Sequence, residues 1–228
     1  MARIVRRRPL TRARHTVERG RRPVEAAVVM LHGGPERGFR ETPRWSAPYL
    51  RLRPFGRRIR ELSDDRIAIV RVQHTQTGWN GGERTTLAQA RLVLADLTER
   101  RPDLTIGLLG HSLGGRTALA AADHDKVRSV VALAPWVTPY DDVEHLVGCD
   151  VLVVQGERDR VCPPRDSEAF VARLRAAGGS VEYAPLAGCG HAMIRRAGLW
   201  HELAASFLVR TLLAPESPLE PPPESSRH

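Results

Sequence analysis

The sequence is poor in lysine, cysteine and aromatic residues. Lys126 is the only lysine, so nearly all of the positive charge is carried by arginine. Aromatic residues make up 5% of the chain, and there are three cysteines, Cys149, Cys162 and Cys189. So low and odd a cysteine count excludes a disulfide framework, and we expect free thiols in a cytoplasmic protein. A single bridge between Cys162 and Cys189 is the alternative, because their loops are expected to be neighbours.

Long apolar runs are also absent. No segment approaches the roughly 18 apolar residues of a membrane span, and no apolar run follows the basic N-terminal residues within the length of a signal peptide. We therefore expect neither a membrane span nor a signal peptide. Hydrophobic residues at 42% and charged residues at 27% are typical of a water-soluble globular chain.

The formal net charge is +9, which raises the question of an acidic partner. Basic tracts such as Arg6-Arg7-Arg8 and Arg57-Arg58 are short and lack interleaved aromatic residues for base stacking. Arginine is scattered over the whole chain, as a general compositional bias would place it. We therefore predict a small-molecule partner and no specific nucleic-acid partner.

The pattern along the chain predicts one main domain with two flanking segments. Residues 1–22 form a basic N-terminal segment that can supply edge strands, and residues 23–214 form the domain. The tail over 215–228 is rich in Pro, Ser and Glu and cannot bury apolar surface, which predicts disorder.

Apolar runs alternate with helical patterns inside the domain, which predicts an α/β fold with a mostly parallel sheet and helices on both faces. Leu87, Ala90, Leu94 and Leu97 follow helical spacing, Ser167 is a candidate N-cap, and a last amphipathic helix contains Trp200. In such folds the sites lie beyond the carboxyl ends of the strands. The predicted strands are Val24–Leu31, Ile67–Val72, Leu104–Leu109, Val127–Leu133, Val151–Val154 and Val181–Ala184.

The segment Gly110-His111-Ser112-Leu113-Gly114 lies between a predicted strand and a predicted helix. A serine hydroxyl is a poor nucleophile unless it is exposed, oriented and deprotonated by a base. A sharp strand-to-helix turn exposes the serine and requires small neighbours, as Gly110 and Gly114 are. A glycine-rich turn with an incidental serine is the alternative.

The segment His32-Gly33-Gly34-Pro35 ends the first strong strand. Attack on a carbonyl creates an oxyanion that needs preorganised backbone N–H donors. Gly34 and Leu113 are the predicted donors, since Gly34 has no side chain in the way and Leu113 follows the serine. The alternative is an ordinary Gly-Pro turn, and we interpret His32 as a structural residue.

Two further polar segments follow strands later in the chain. Gly156-Glu157-Arg158-Asp159 offers a carboxylate that can orient a histidine, or else forms a solvated charged turn. Gly188-Cys189-Gly190-His191 offers a loop histidine that can accept a proton, and a plain surface histidine is the alternative.

Taken together, these four segments resemble the α/β-hydrolase superfamily over about residues 24–213. The resemblance implies that Ser112 is the nucleophile, His191 the general base and acid, and Asp159 the orienting acid, in the chain order typical of the fold. It also implies an oxyanion hole at Gly34 and Leu113, with no metal and no organic cofactor. The chain also resembles small uncapped esterases of the lysophospholipase and dienelactone-hydrolase type.

The resemblance predicts a hydrolase of carboxylic esters with small or medium acyl groups. Two alternatives remain: a thioesterase or acyltransferase acting on carrier-bound acyl groups, and a catalytically inactive binding protein of the same fold. We expect no large lid, because the stretch between Ala134 and Val151 can hold one short helix at most. The arginine-rich stretch over 36–60 is the other segment that could cover the site. His32, His111, Trp136 and Tyr140 are candidate pocket residues, although the two aromatic residues could simply pack on the sheet edge.

Overall fold

A computed structural model describes residues 10–213 of the chain. The predicted disordered tail over 215–228 and the first nine residues of the basic N-terminal segment lie outside the described residues. Within that segment, residues 14–18 form an edge strand. All three cysteines are free thiols and buried.

A seven-stranded sheet forms the centre of the fold. The strands are β1 Arg14–Glu18, β2 Ala26–Leu31, β3 Ile67–Gln73, β4 Thr105–His111, β5 Val127–Leu133, β6 Asp150–Gly156 and β7 Ser180–Leu186. Their order in the sheet is β1-β3-β2-β4-β5-β6-β7. The edge strand β1 is antiparallel to β3, and every other neighbouring pair is parallel. The predicted fold class is therefore confirmed.

Helices cover both faces of this sheet. The helices are α1 Ala47–Leu50, α2 Arg53–Leu62, α3 Thr85–Arg100, α4 Leu113–Ala120, α5 Pro164–Ala176 and α6 Ala197–Leu212. Apolar side chains of α3, α4 and α5 pack in one cluster, and those of α2 and α6 pack in the other.

The inner strand β2 shows why the apolar runs are continuous rather than alternating. Every residue of Ala26–Leu31 is buried, with Val29 and Leu31 in one cluster and Val28 and Met30 in the other. A parallel strand with helices on both faces has no solvent-facing side, so neither face tolerates polar residues.

One sequence-based expectation needs correction. Helix α5 begins at Pro164, so Ser167 lies inside the first turns instead of capping the helix, and its hydroxyl donates to Oε1 of Gln155 at 2.9 Å. Within the arginine-rich stretch over 36–60, residues 53–60 belong to α2. Phe55 and Ile59 of α2 are buried against the sheet.

The carboxyl ends of the parallel strands bring the predicted site segments to one edge of the sheet. The connection over 134–149, between β5 and β6, contains only one short 3-10 turn over Glu144–Leu146. The prediction that no large lid is inserted there is confirmed. Between residues 10 and 213, no helix is both long and apolar enough to cross a membrane.

Candidate active site

Ser112 lies at the turn between β4 and α4 in a strained backbone conformation. Its φ of 57° and ψ of −120° place a non-glycine residue in a region that L-residues rarely adopt. Hydrogen bonds hold the turn on both sides: the Ser112 N–H donates to the Leu133 carbonyl at 3.0 Å, and the Trp136 N–H donates to the Ser112 carbonyl at 3.1 Å. The end of β5 therefore fixes the backbone of Ser112.

Two glycines allow this turn to be so tight. A Cβ at Gly110 would overlap the backbone of Gly114, and a Cβ at Gly114 would overlap the carbonyl of Leu31. The turn thus packs its backbone directly against its own helix and against the end of β2. This close approach is the physical reason why the residues two positions from Ser112 are glycines.

Asp159 lies in the loop after β6 with its side chain fully buried. Its Oδ1 accepts hydrogen bonds from the N–H groups of Val161 at 2.8 Å and Cys162 at 2.9 Å. Its Oδ2 accepts from Nδ1 of His191 at 2.8 Å and from Nε2 of Gln155 at 3.2 Å. Every lone pair direction of the carboxylate is therefore directed at a donor.

Opposing effects act on the pKa of Asp159. Burial acts to raise the pKa of this carboxyl, but the hydrogen bonds from His191, Cys162 and Val161 outweigh burial and hold it below its usual value. Asp159 is therefore ionised at neutral pH, and His191 carries its proton on Nδ1. That tautomer leaves Nε2 of His191 as the nitrogen able to accept a proton.

His111 connects the loop that carries His191 to the turn between β4 and α4 that carries Ser112 (the serine turn). Its Nε2 donates to the carbonyl of His191 at 2.9 Å, and the two imidazole rings lie 4.8 Å apart. Burial, followed by the charge of His191, lowers the pKa of His111 to about 3, so this ring is neutral. The residue before Ser112 thus positions the backbone of His191.

The Ser112 hydroxyl is close to a buried thiol. Burial and the charge of Asp159 raise the pKa of Cys162 to about 12, while a hydrogen bond with Ser112 acts in the opposite direction. Within residues 10–213, no hydrogen bond joins the Ser112 hydroxyl to His191. The backbone N–H of Cys162 binds Asp159 at 2.9 Å, so the same residue that holds the carboxylate lies in the neighbourhood of Ser112.

The two predicted oxyanion donors lie beside the serine turn. A Cβ at Gly34 would meet Cδ2 of Leu113 at 3.5 Å, and a Cβ at Gly33 would meet Cβ of Ser112 at 3.3 Å. Among the described residues, no backbone hydrogen bond outside the helices and strands uses the N–H of Gly34 or Leu113. The structure thus brings Gly34 next to Leu113 and Gly33 next to Ser112.

The candidate pocket residues lie in different places. His32 is buried: its Nδ1 donates to the Gly33 carbonyl at 2.8 Å, and its Nε2 accepts from the His74 N–H at 3.3 Å. Burial lowers the pKa of His32 to about 4. His32 therefore shapes the loop that holds Gly34, as a structural residue.

The two aromatic candidates lie on the far side of the serine turn. Trp136 is half-buried and its ring stacks on the guanidinium of Arg116. Tyr140 is 94% exposed and borders a cavity of about 190 Å³ that is also lined by Trp79, Arg116 and Phe170. Ser112 is not part of that lining, so the structure does not bring Tyr140 together with the serine.

Gln155 and Cys162 are site residues that the sequence interpretation did not single out. Gln155 is fully buried and donates to the Cys162 carbonyl at 3.1 Å as well as to Asp159. A polar residue at the end of an otherwise apolar strand was the available signal, because a buried amide requires partners. In the described part of the chain, no three His, Cys, Asp or Glu side chains form a group that could hold a metal ion.

Two family models match the chain. The model described as "Alpha/beta hydrolase family" matches residues 28–146, just over half of the sequence. The model described as "Prolyl oligopeptidase family" matches residues 128–214. No curated protein matches the chain in sequence.

Solved structures share the fold at low sequence identity. A putative alpha/beta hydrolase from Agrobacterium tumefaciens, of unknown function, has a TM-score of 0.72 at 15% identity, covering 91% of this chain and 97% of its own. An alpha-beta serine hydrolase homologue from Coxiella burnetii has a TM-score of 0.67 at 19% identity, covering 84% and 89%. A thermostable esterase from Pseudomonas putida has a TM-score of 0.67 at 16% identity, covering 89% and 80%. At such identities, the similarity concerns the fold.

Proposed function

Because the chain belongs to the alpha/beta hydrolase family, we propose that it is a serine hydrolase that cleaves carboxylic esters through an acyl-enzyme on Ser112. The observation that carries this proposal is the 2.8 Å hydrogen bond from Nδ1 of His191 to the buried carboxylate of Asp159. This pairing supports a base with its free nitrogen available, next to a serine in a strained turn. The esterases among the structural relatives are consistent with it.

Acylation begins with the serine hydroxyl. The Ser112 hydroxyl turns towards Nε2 of His191, which takes the proton as Oγ attacks the ester carbonyl carbon. The carbonyl oxygen becomes an oxyanion, and the N–H groups of Gly34 and Leu113 stabilise it. His191 then gives its proton to the departing alcohol oxygen as the carbon–oxygen bond breaks.

Deacylation repeats these steps with water as the nucleophile. His191 takes a proton from water, the hydroxide adds to the acyl carbon, and the second oxyanion forms in the same place. Collapse of this intermediate breaks the bond to Oγ of Ser112, which recovers its proton from His191. Asp159 remains ionised throughout and stabilises the imidazolium each time it forms.

The acyl group is proposed to be small or medium in size. No helical lid is present between β5 and β6 that could supply an apolar wall for a long acyl chain. A thioester would pass through the same two steps, which makes thioesters the second substrate class to test. A catalytically inactive binding protein would need no base beside the serine turn.

The test is active-site labelling with a fluorophosphonate, which phosphonylates an activated serine with loss of fluoride. The wild-type protein should be labelled once, and Ser112→Ala should not be labelled while keeping its circular dichroism spectrum. Ser129→Ala is the matched control, because Ser129 is a buried serine near the amino end of β5, whereas Ser112 follows the carboxyl end of β4. Labelling of Ser112→Ala at the wild-type level, or a wild-type protein inert to the probe, would overturn the proposal.

A further inference from the structure

Whether an arginine of this chain forms an ion pair with a carboxylate depends on where it lies in the fold. Along the flanks and the amino edge of the sheet, most are matched to a carboxylate within 4.0 Å. Examples are Arg22 with Asp64, Arg60 with Asp65, Arg66 with Glu25, Arg91 with Asp123, Arg101 with Asp103 and Arg210 with Glu182. In these regions the basic charge is largely neutralised locally.

The carboxyl edge of the sheet is different. Arg51 precedes α2, Arg158 and Arg160 flank Asp159, and Arg195 and Arg196 follow His191. We call these five residues the arginine rim. Among the described residues, none of the five has a carboxylate within 4.0 Å. The four on the loop after β6 that carries Asp159 (the acid loop) and the loop after β7 that carries His191 (the histidine loop) are exposed. Their charge is therefore available to a ligand.

Three members of the arginine rim are tied to the segments that carry the proposed catalytic groups. The Arg158 N–H donates to the Cys189 carbonyl at 2.8 Å, which joins the acid loop to the histidine loop. The Arg195 guanidinium carbon lies 3.6 Å from the position that a Cβ would take at Gly188, three residues before His191. Arg51 is near enough for its charge to act on His111.

Few acidic groups oppose this charge on the same edge. The Asp159 carboxylate is buried and already accepts hydrogen bonds from neighbouring groups, and Asp141 forms an ion pair with Arg116 at 2.7 Å. Glu157 is exposed beside Arg158 and has no ion pair among the described residues. The loops after β2 and β3 add unpaired groups of both signs, with Glu36 and Glu83 against Arg37, Arg40 and Arg84. The edge thus keeps an excess of positive charge.

Arginines without a carboxylate partner also occur elsewhere among the described residues, for example Arg19, Arg21 and Arg128. What distinguishes the arginine rim is its place: four of its five members lie on the two loops that carry Asp159 and His191. Unpaired charges around a cleft raise the local concentration of a ligand of opposite charge. Guanidinium groups also bind carboxylates and phosphates in a bidentate manner and are weakly hydrated. The distribution therefore points to the substrate.

We propose that the substrate of this hydrolase is an anionic ester or thioester, whose carboxylate or phosphate binds to the arginine rim while its carbonyl lies at Ser112. This inference rests on the proposed function. The negative charge of the substrate can come from a carboxylate at the far end of the acyl group or from a phosphate on the leaving group. Each source has its own arm in the test.

The first arm compares two esters with the same number of acyl carbons, p-nitrophenyl hexanoate and mono-p-nitrophenyl adipate. The second arm compares butyryl-pantetheine with butyryl-4′-phosphopantetheine, which differ only in the phosphate. Rates of spontaneous hydrolysis are subtracted. We expect kcat/KM to be about tenfold higher for the anionic member of at least one pair. The preference should fall as salt is raised from about 20 mM to 500 mM, because exposed charges are screened.

Variants assign the effect to the arginine rim. Arg51→Gln and the double variant Arg195→Gln/Arg196→Gln should each lower the ratio of anionic to neutral kcat/KM, chiefly through KM. The matched control is Arg19→Gln/Arg21→Gln, which removes two exposed arginines beyond the end of β1, at the opposite edge of the sheet. This control should leave the ratio unchanged.

The outcomes separate the two proposals. Hydrolysis of the neutral substrates with no anionic preference in either arm would overturn the arginine-rim inference and leave the serine hydrolase standing. A preference that the control variant reduces as much as the rim variants would also overturn it, since it would reflect total charge. No hydrolysis of any substrate, with no fluorophosphonate labelling, would overturn the proposed function itself.

Discussion

Nε2 of Gln155 lies 3.2 Å from Oδ2 of Asp159, the oxygen that also accepts the hydrogen bond from His191. The same amide nitrogen donates to the Cys162 carbonyl, and its Oε1 accepts from Ser167 in α5. Gln155 therefore connects the last residues of β6, the acid loop and the following helix. Its buried amide holds the carboxylate in the orientation that His191 needs.

Gln155→Leu should lower kcat by about 10- to 100-fold with little change in KM. It removes one hydrogen bond to a charged group, worth about 1.5–3 kcal/mol, but no contact with substrate. Gln89→Leu is the matched control, because Gln89 is an equally buried amide that bonds His74 and Thr75 instead. Rates are normalised to fluorophosphonate-reactive sites. Equal losses of kcat in both variants would mean that Gln155 only supports the fold.

The choice between two carboxylates of the acid loop can be tested directly. Asp159→Asn should lower kcat by about 10⁴, because an amide cannot stabilise the imidazolium and favours the wrong tautomer. Glu157→Gln should cost little, since Glu157 is exposed and has no ion pair among the described residues. Steady-state kinetics on a p-nitrophenyl ester would decide, and the reverse ranking would show that Glu157 is the acid.

The arrangement around Gln155 also shows where sequence interpretation ends. Residue types and chain order suggested Ser112, Asp159 and His191, and the structure joins the last two across 32 positions. The partners of the Asp159 carboxylate depend on the backbone path of residues 157–163, which no sequence periodicity predicts. Only that path brings the Cys162 N–H to the carboxylate.

Helix α2 escaped the sequence interpretation for a different reason. Phe55 and Ile59 are its only large buried apolar residues, spaced one turn apart, and arginines occupy four of the other eight positions. The segment therefore looks like part of a polar, arginine-rich stretch, and packing against α6 stabilises the helix. The strands were predicted more closely because both of their faces are buried.

Gly114→Ala should destabilise the fold severely, whereas Gly34→Ala should not. The Cβ at residue 114 would lie 2.7 Å from the His32 carbonyl oxygen and overlap that of Leu31, and neither backbone can move without disturbing β2. The Cβ at residue 34 meets only a leucine methyl group at an ordinary 3.5 Å. Thermal denaturation followed by circular dichroism would compare them. A Gly114→Ala protein with the wild-type melting temperature would contradict the tight turn described above.

Stability should fall as the pH is lowered from 7 towards 5. Burial lowers the pKa values of His32, His74 and His111 to about 4, 3 and 3, while histidines of an unfolded chain titrate near 6.5. Below pH 6.5 the unfolded state therefore binds more protons, and the free energy of unfolding decreases with falling pH. Each histidine contributes up to about 1.4 kcal/mol per pH unit.

Chemical denaturation at pH 7, 6 and 5 would measure this slope. His74→Asn is the matched variant, because asparagine keeps a donor near Gln89 but has no titratable ring. Its slope should be smaller than that of the wild type by about one proton. A wild-type free energy of unfolding that stays constant between pH 7 and 5 would show that these histidines are not buried as neutral rings.

Catalytic efficiency on p-nitrophenyl esters should peak at short acyl chains and fall by palmitate. The connection after β5 is tied down close to the sheet, because Arg116 binds Asp141 at 2.7 Å and stacks between the rings of Trp79 and Trp136. That clamp leaves no helical wall over Ser112 against which a long chain could be buried. Each additional buried methylene would be worth about 0.8 kcal/mol, so a real groove would raise kcat/KM steadily with chain length. The series from acetate to palmitate, measured below the critical micelle concentration of each ester, distinguishes these cases. Efficiency that rises through the long chains, or activation at an emulsion surface, would reveal an acyl groove and contradict the open site proposed for this hydrolase.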